Sequence, residues 1–194
     1  MLAAIRYHVR TEDPEITSIN LYGDTGVGKS RLVFEALAAD DIAPRVIVAR
    51  DPHHLDPHLL SSVIQSDNRR MVLVVDDCTA DQRRQLVQDA DMARGRIRLI
   101  TVGARYTREA QPADSGFLDL GTLEIAACKE IALAEGVGPE IADRIASLTE
   151  GYPKLASVLA AAIRHGGPGA EIGERIRGER VGRKHSRRRP VKGQ

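Results

Sequence analysis

The stretch Gly23-Asp24-Thr25-Gly26-Val27-Gly28-Lys29-Ser30 sets glycines, a lysine and a hydroxyl at the spacing G-x-x-x-x-G-K-[ST]. The chemistry such a pattern serves is the holding of a phosphate chain. Glycines let the backbone turn through conformations closed to other residues and bring its N–H groups close to phosphate oxygens. A helix beginning near Gly28 aims its positive end at the same oxygens. Lys29 then reaches the β- and γ-phosphates as a point charge, and the Ser30 hydroxyl is a ligand for Mg²⁺.

A second stretch complements the first. Met71-Val72-Leu73-Val74-Val75-Asp76-Asp77 reads as a buried strand with two carboxylates at its carboxyl end, where open α/β sheets place ligands. Asp76 suits the role of holding Mg²⁺, directly or through its water, and Asp77 that of positioning or deprotonating an attacking water. The structural alternative is an Asp-Asp turn capping a helix that starts near Thr79. The phosphate loop upstream favours the metal reading.

These residues need strands that end in loops and helices that return the chain. Ile16 to Tyr22 reads as a strand leading into the loop, and the helix after it runs to about Ala39. Leu2 to Val9 forms a short helix before that strand. Arg45 to Ala49 is a β-branched run suited to a buried parallel strand. His53, His54 and His58 invite a zinc reading, but their spacing fits no zinc pattern. Asp56 and Pro57 read better as the N-cap and first position of a helix over Leu59 to Ser66. Asp81 to Ala93 is a polar helix and Ile97 to Gly103 a further strand. At its exit stand Thr101 and Arg105, candidates for sensing the γ-phosphate, with a plain surface arginine as the alternative for Arg105. Pro112 to Gly116 is a loop, Phe117 to Leu120 a short fifth strand, and Thr122 to Glu124 a helix start.

Beyond this point the chain becomes alanine-rich helix, broken at Gly136 to Pro139, at Glu150 to Pro153, and at His165 to Gly167. Three regions follow: residues 1–121 as an α/β core, 122–172 as a small helical lobe, and 173–194 as a basic tail. The tail carries nine Lys/Arg against two Glu, a net of +7, and leaves the body at −6. With so few apolar residues it is expected to be disordered, and nucleic acid is one partner that its charge would suit. At 194 residues and 42% hydrophobic content the chain can bury one good core. No run approaches a membrane helix and no signal peptide is visible, so no membrane partner is expected and the cytoplasm is the default compartment. Cys78 and Cys128 have no companions at metal-binding spacing and read as core residues.

The order of these motifs resembles the STAND class of P-loop ATPases, relatives of AAA+ proteins that include the NB-ARC and NACHT switches. The resemblance is carried by the Walker A loop, the Asp76-Asp77 strand end, Leu120-Gly121-Thr122-Leu123-Glu124-Ile125-Ala126, and Leu148-Thr149-Glu150-Gly151-Tyr152-Pro153-Lys154-Leu155-Ala156. Gly28-Lys29-Ser30-Arg31-Leu32-Val33, Val75-Asp76-Asp77-Cys78 and Leu99-Ile100-Thr101-Val102-Gly103 further resemble the bacterial antiviral-defence branch. It implies a three-layer α/β/α fold with a five-stranded parallel sheet of order 5-1-4-3-2, plus a C-terminal helical lobe. It also implies ATP and Mg²⁺ as cofactors. The nucleotide would be held by Gly23, Asp24, Thr25, Gly26, Val27, Gly28, Lys29, Ser30 and Arg31, with Pro153 of the Gly-x-Pro motif packed on the adenine. Lys29 and Asp77 would be catalytic, and Ser30 and Asp76 would hold the metal. NB-ARC proteins place an arginine directly after the strand that here ends at Gly103, whereas Arg105 stands two residues on.

The expected function is a nucleotide switch with slow Mg²⁺-dependent ATP hydrolysis, in signalling or defence. ATP and ADP would favour different states, read by a protein partner, by further sensor and effector domains, or through nucleotide-dependent homo-oligomerisation. The motifs present match an isolated switch core, either a fragment of a longer product or a separately encoded subunit. One competing reading is a non-catalytic, nucleotide-stabilised or DNA-associated protein working through its basic tail. Another is an AAA+ loader or regulator.

Overall fold

The computed structural model describes residues 1–12, 17–65, 70–104 and 116–165. Two compact units divide between Gly121 and Thr122. The first is built on five parallel strands: β1 (Ser18–Tyr22), β2 (Val46–Ala49), β3 (Met71–Val75), β4 (Ile97–Gly103) and β5 (Gly116–Asp119). Their order is β2-β3-β4-β1-β5, the 5-1-4-3-2 arrangement expected.

Alternation along the strands sorts side chains to two faces, and both are covered. Leu21, Val72, Val74, Ile100 and Val102 pack against Ile5 and Val9 of α1 (Leu2–Arg10) and Val33 and Ala36 of α2 (Lys29–Leu37). Leu73, Val75, Ile97 and Leu99 pack against Leu60 and Val63 of α3 (Pro57–Gln65) and Leu86 and Ala90 of α4 (Ala80–Met92). Burial on both sides is why β3 and β4 read as nearly unbroken apolar runs. Arg6 ties the first layer together by donating to the carbonyls of Ala36 and Glu35, which the end of α2 would otherwise leave open.

Two local expectations change. β2 is parallel but lies at the sheet edge, so Val46 and Ile47 are only partly buried and Val48 is exposed, while Ala49 at its end is buried. The β-branched run reports strand propensity without telling edge from centre. The turn before it, and the histidine-bearing loop after it, each contain a 3₁₀ turn, Ala43–Arg45 and Pro52–His54. Asp51 accepts from the His53 N–H in the latter and Asp56 from that of His58, which accounts for the loop by local caps.

The second unit holds α5 (Ile125–Ala134), α6 (Pro139–Thr149) and α7 (Pro153–Arg164) around Cys128, Ala132, Ala142, Ile145, Ala146, Ala156 and Ala160. The run of alanines lets the three axes approach closely. α5 begins after the expected Thr122–Glu124 start, because the Leu123 N–H is drawn off to the Gly151 carbonyl at 2.8 Å and the chain stays extended until Glu124. Pro139 and Pro153 each open a helix where a missing N–H does no harm. Both cysteines are free and buried. Among the described residues, no helix is long and apolar enough to cross a membrane.

Candidate functional site

β1 delivers the glycine loop at its carboxyl end, and α2 leaves it from Lys29. Gly26 and Gly28 take left-handed φ angles of 88° and 99°. At Gly23 a side chain would collide with the Leu120 carbonyl, whose own N–H donates to Tyr22 O, so the chain leaving β5 walls the start of the loop. Val27 is buried and pins the loop's middle to the core. No side chain caps α2, so its first N–H groups are kept for the loop's own concavity.

Lys29 curls over that concavity. Its Nζ donates to the carbonyls of Gly23 and Asp24, both at 2.9 Å. Partial burial lowers its pKa, and the carboxylates of Asp76, Asp24 and Asp77 work the other way. The ammonium therefore sits in a negative field that a phosphate chain would replace. Ser30 Oγ donates to Asp76 Oδ2 at 2.6 Å, so the two residues expected to share a metal are already in contact.

β3 is buried along its whole length and sets both acids at its end. The Asp76 N–H donates to Ala49 O on β2 and the Cys78 N–H to Val102 O on β4, tying that end to both neighbours. Asp76 Oδ1 accepts from the Asp77 N–H at 2.9 Å, while Asp77 is exposed with a left-handed φ of 53°. The turn-capping alternative does not describe this junction. α4 is capped by Thr79, whose side chain accepts from the Gln82 N–H while Gln82 accepts from the Thr79 N–H. Neither aspartate is needed for the cap.

The donor set of Ser30 and Asp76 fits Mg²⁺. A hydroxyl and a carboxylate in contact, beside a loop built for phosphate oxygens, supply the hard oxygen ligands that this ion takes, with water and phosphate completing its shell. Among the described residues no group of three or more His, Cys, Asp or Glu could hold a metal without such a partner.

The remaining candidates fall elsewhere. Thr101 is fully buried, opposite Asn20 in the β1–β4 register, and its Oγ1 donates to Asn20 Oδ1 at 2.9 Å. Arg105 lies outside the described residues, as does the 173–194 tail. Arg31 points to solvent and pairs with Glu35 one turn on. Asp24 and Thr25 are exposed, and Pro153 belongs to the second unit. Two residues escaped the sequence reading. Asn20 is a lone amide inside an apolar strand, and that isolation was its signal. Arg83 is buried on α4 with its guanidinium 4.9 Å from the centre of the Phe117 ring, and nothing in the polar pattern of that helix distinguishes it.

No family model matches the chain, and no curated protein does. Solved structures do. RuvB of Thermotoga maritima, described as a Holliday junction branch migration motor, aligns with a TM-score of 0.53 at 17% identity, over 84% of this chain and 58% of that one. Caenorhabditis elegans PCH-2 aligns with a TM-score of 0.56 at 13% identity, over 86% and 60%. The fold is that of the AAA+ P-loop NTPases. A STAND protein with a tetratricopeptide-repeat sensor from Pyrococcus horikoshii aligns at a TM-score of 0.49 and 14% identity, over 79% of this chain and 28% of that one. The chain thus spans less than two thirds of each of these proteins. At such identities the likeness concerns the P-loop fold, and the chemistry rests on the residues of the loop and of the β3 end.

Proposed function

We propose that this protein binds ATP with Mg²⁺ and hydrolyses it slowly, as a nucleotide-controlled switch of the STAND type. The observation that carries the reading is the contact between Ser30 Oγ and Asp76 Oδ2 beneath a loop over which Lys29 is folded. Lys29 would leave the Gly23 and Asp24 carbonyls for the β- and γ-phosphates. Ser30 and Asp76 would hold the metal, which neutralises charge developing on the phosphoryl group. Asp77, exposed at the strand end, would orient the attacking water.

Binding of the nucleotide by residues 23–31, stacking of Pro153 on the adenine, and a signalling or defence role rest on the motif resemblance. Division of labour between an α/β core of residues 1–121, a helical lobe of 122–172 and a basic tail is part of the same reading. So are a cytoplasmic setting, nucleotide-dependent self-association and a partner that reads the nucleotide state.

Calorimetry with ATP and ADP in Mg²⁺, beside phosphate release, tests it on the parent chain, Lys29→Ala and Asp77→Ala. Binding by the parent, its loss in Lys29→Ala, and binding without turnover in Asp77→Ala are the expected results. A parent chain that binds neither nucleotide at millimolar concentration would overturn the proposal.

A further inference from the structure

β2 ends beside the candidate metal ligand. Ala49 stands opposite Val75 in the register of β2 and β3, and its carbonyl accepts from the Asp76 N–H at 2.9 Å. Arg50 follows that carbonyl directly, so the chain carries an arginine about one strand spacing from the residue whose carboxylate bonds to Ser30 Oγ. Because β1, β2 and β3 run parallel, the P-loop after β1, Arg50 after β2 and the Asp76-Asp77 pair after β3 all lie at the carboxyl edge of the sheet.

Arg50 is exposed and, among the described residues, has neither a hydrogen bond nor an ion pair. Acids flank it in sequence and in register, yet other donors supply them. Asp51 accepts from the His53 N–H, Asp76 Oδ1 from the Asp77 N–H and Asp76 Oδ2 from Ser30 Oγ. Arg31, beside the loop, is by contrast held by Glu35. Arg50 thus keeps the planar donor fork of its guanidinium for a guest.

The guest that this end of the sheet suits is a phosphate chain. Lys29 would reach its β- and γ-phosphates, and Ser30 with Asp76 would mark where those phosphates meet a metal, which puts the terminal one on the β3 side of the loop. Thr101, a candidate for sensing that phosphate, is buried and gives its hydroxyl to Asn20. Arg50 stands at the same edge with its charge unspent.

We infer that Arg50 reads the terminal phosphate of a bound nucleoside triphosphate and so makes the site prefer triphosphate over diphosphate. The inference rests on the nucleotide reading proposed above. The guanidinium donates in a fork to two oxygens of the γ-phosphate, a bidentate charge-assisted pair. A diphosphate lacks that group, so the contact adds to one affinity and not to the other.

The test is calorimetry on the full chain in Mg²⁺ with ADP and with the imido analogue of ATP, in which nitrogen bridges the β- and γ-phosphates and blocks hydrolysis. The parent is compared with Arg50→Gln, Arg50→Lys and Arg84→Gln. Arg84 is an exposed arginine paired with Asp81 on α4, and its variant controls for the loss of one surface charge. Arg50→Gln should lose about tenfold or more in triphosphate affinity while binding ADP as the parent does, which also shows that it folds. Arg50→Lys should lose part of that, because it keeps the charge without the fork. Arg84→Gln should match the parent with both ligands. An equal loss with both ligands, no loss with either, or the same loss in Arg84→Gln would overturn the inference while nucleotide binding stands. A parent chain that binds neither ligand would overturn the nucleotide reading, and the inference with it.

Discussion

Ser30 Oγ donates to Asp76 Oδ2 across 2.6 Å, joining the first turn of α2 to the end of β3. The contact holds a neutral hydroxyl and a carboxylate at a separation that a divalent cation, with its water, can take over. In Asp76→Asn the oxygen for the hydroxyl remains but the charge for the metal goes. The variant should fold as the parent does, and its ATP affinity in Mg²⁺ should fall about tenfold or more. In excess chelator the two proteins should bind alike. A deficit of the same size with and without Mg²⁺ would place Asp76 outside metal binding.

Asn20 and Thr101 form a polar rung inside an otherwise apolar part of the sheet. Both are fully buried, and Asn20 Nδ2 has no partner among the described residues. Thr101→Val removes the donor to Asn20 Oδ1 and should cost about 1–3 kcal/mol in chemical denaturation. Adding Asn20→Val removes the stranded amide as well, so the double variant should recover part of the loss. Additive losses would show that the rung contributes nothing as a pair.

These two pairs differ in how far the sequence reveals them. Ser30 and Asp76 were legible because the glycine spacing and the acid at a strand end each demand particular residue types. The sheet order followed from the same resemblance, and the buried strands from unbroken apolar runs. Asn20 showed in the sequence only as an isolated amide and Arg83 not at all, since each acts through a neighbour distant in sequence, Thr101 and Phe117, and leaves no periodic trace. The late start of α5 likewise depends on Gly151, 28 residues beyond Leu123, accepting a bond that local pattern does not encode.

His8 should make stability depend on pH. It is buried on α1, with Nε2 3.3 Å from Leu99 O and Nδ1 without a hydrogen-bond partner among the described residues. Burial first, and then the charge of Arg98, push its pKa down from 6.5 to about 4, while the Leu99 carbonyl opposes the shift. Between those values the unfolded chain binds the proton and the folded chain does not, so stability rises with pH through this window and is lost as pH falls from 6.5 toward 4. The full swing is about 3 kcal/mol. Denaturation of the parent and of His8→Gln at pH 7 and pH 4.5 reads it directly. The variant should lose less stability on acidification, and an identical slope would remove His8 as the cause.

Gly151 is the position where a single methyl group should do most harm to the second unit. Its φ of +87° lies in the left-handed region, which costs an L-residue about 1–2 kcal/mol. A Cβ there would also run into the Leu123 carbonyl oxygen and come within 2.8 Å of Thr122 Cβ. The Leu123 N–H already bonds to Gly151 O, so this part of the backbone cannot back away without breaking that bond. Gly151→Ala should therefore cost more than about 2 kcal/mol, and hydrogen exchange should show α5, α6 and α7 losing protection ahead of β3 and β4. Gly138→Ala supplies the comparison, because its φ is −68° and nothing lies within 4 Å of the added carbon. That change should shift stability by less than about 1 kcal/mol. If the two alanine variants melt together, the close approach of Gly151 to Leu123 is not what shapes the turn before α7.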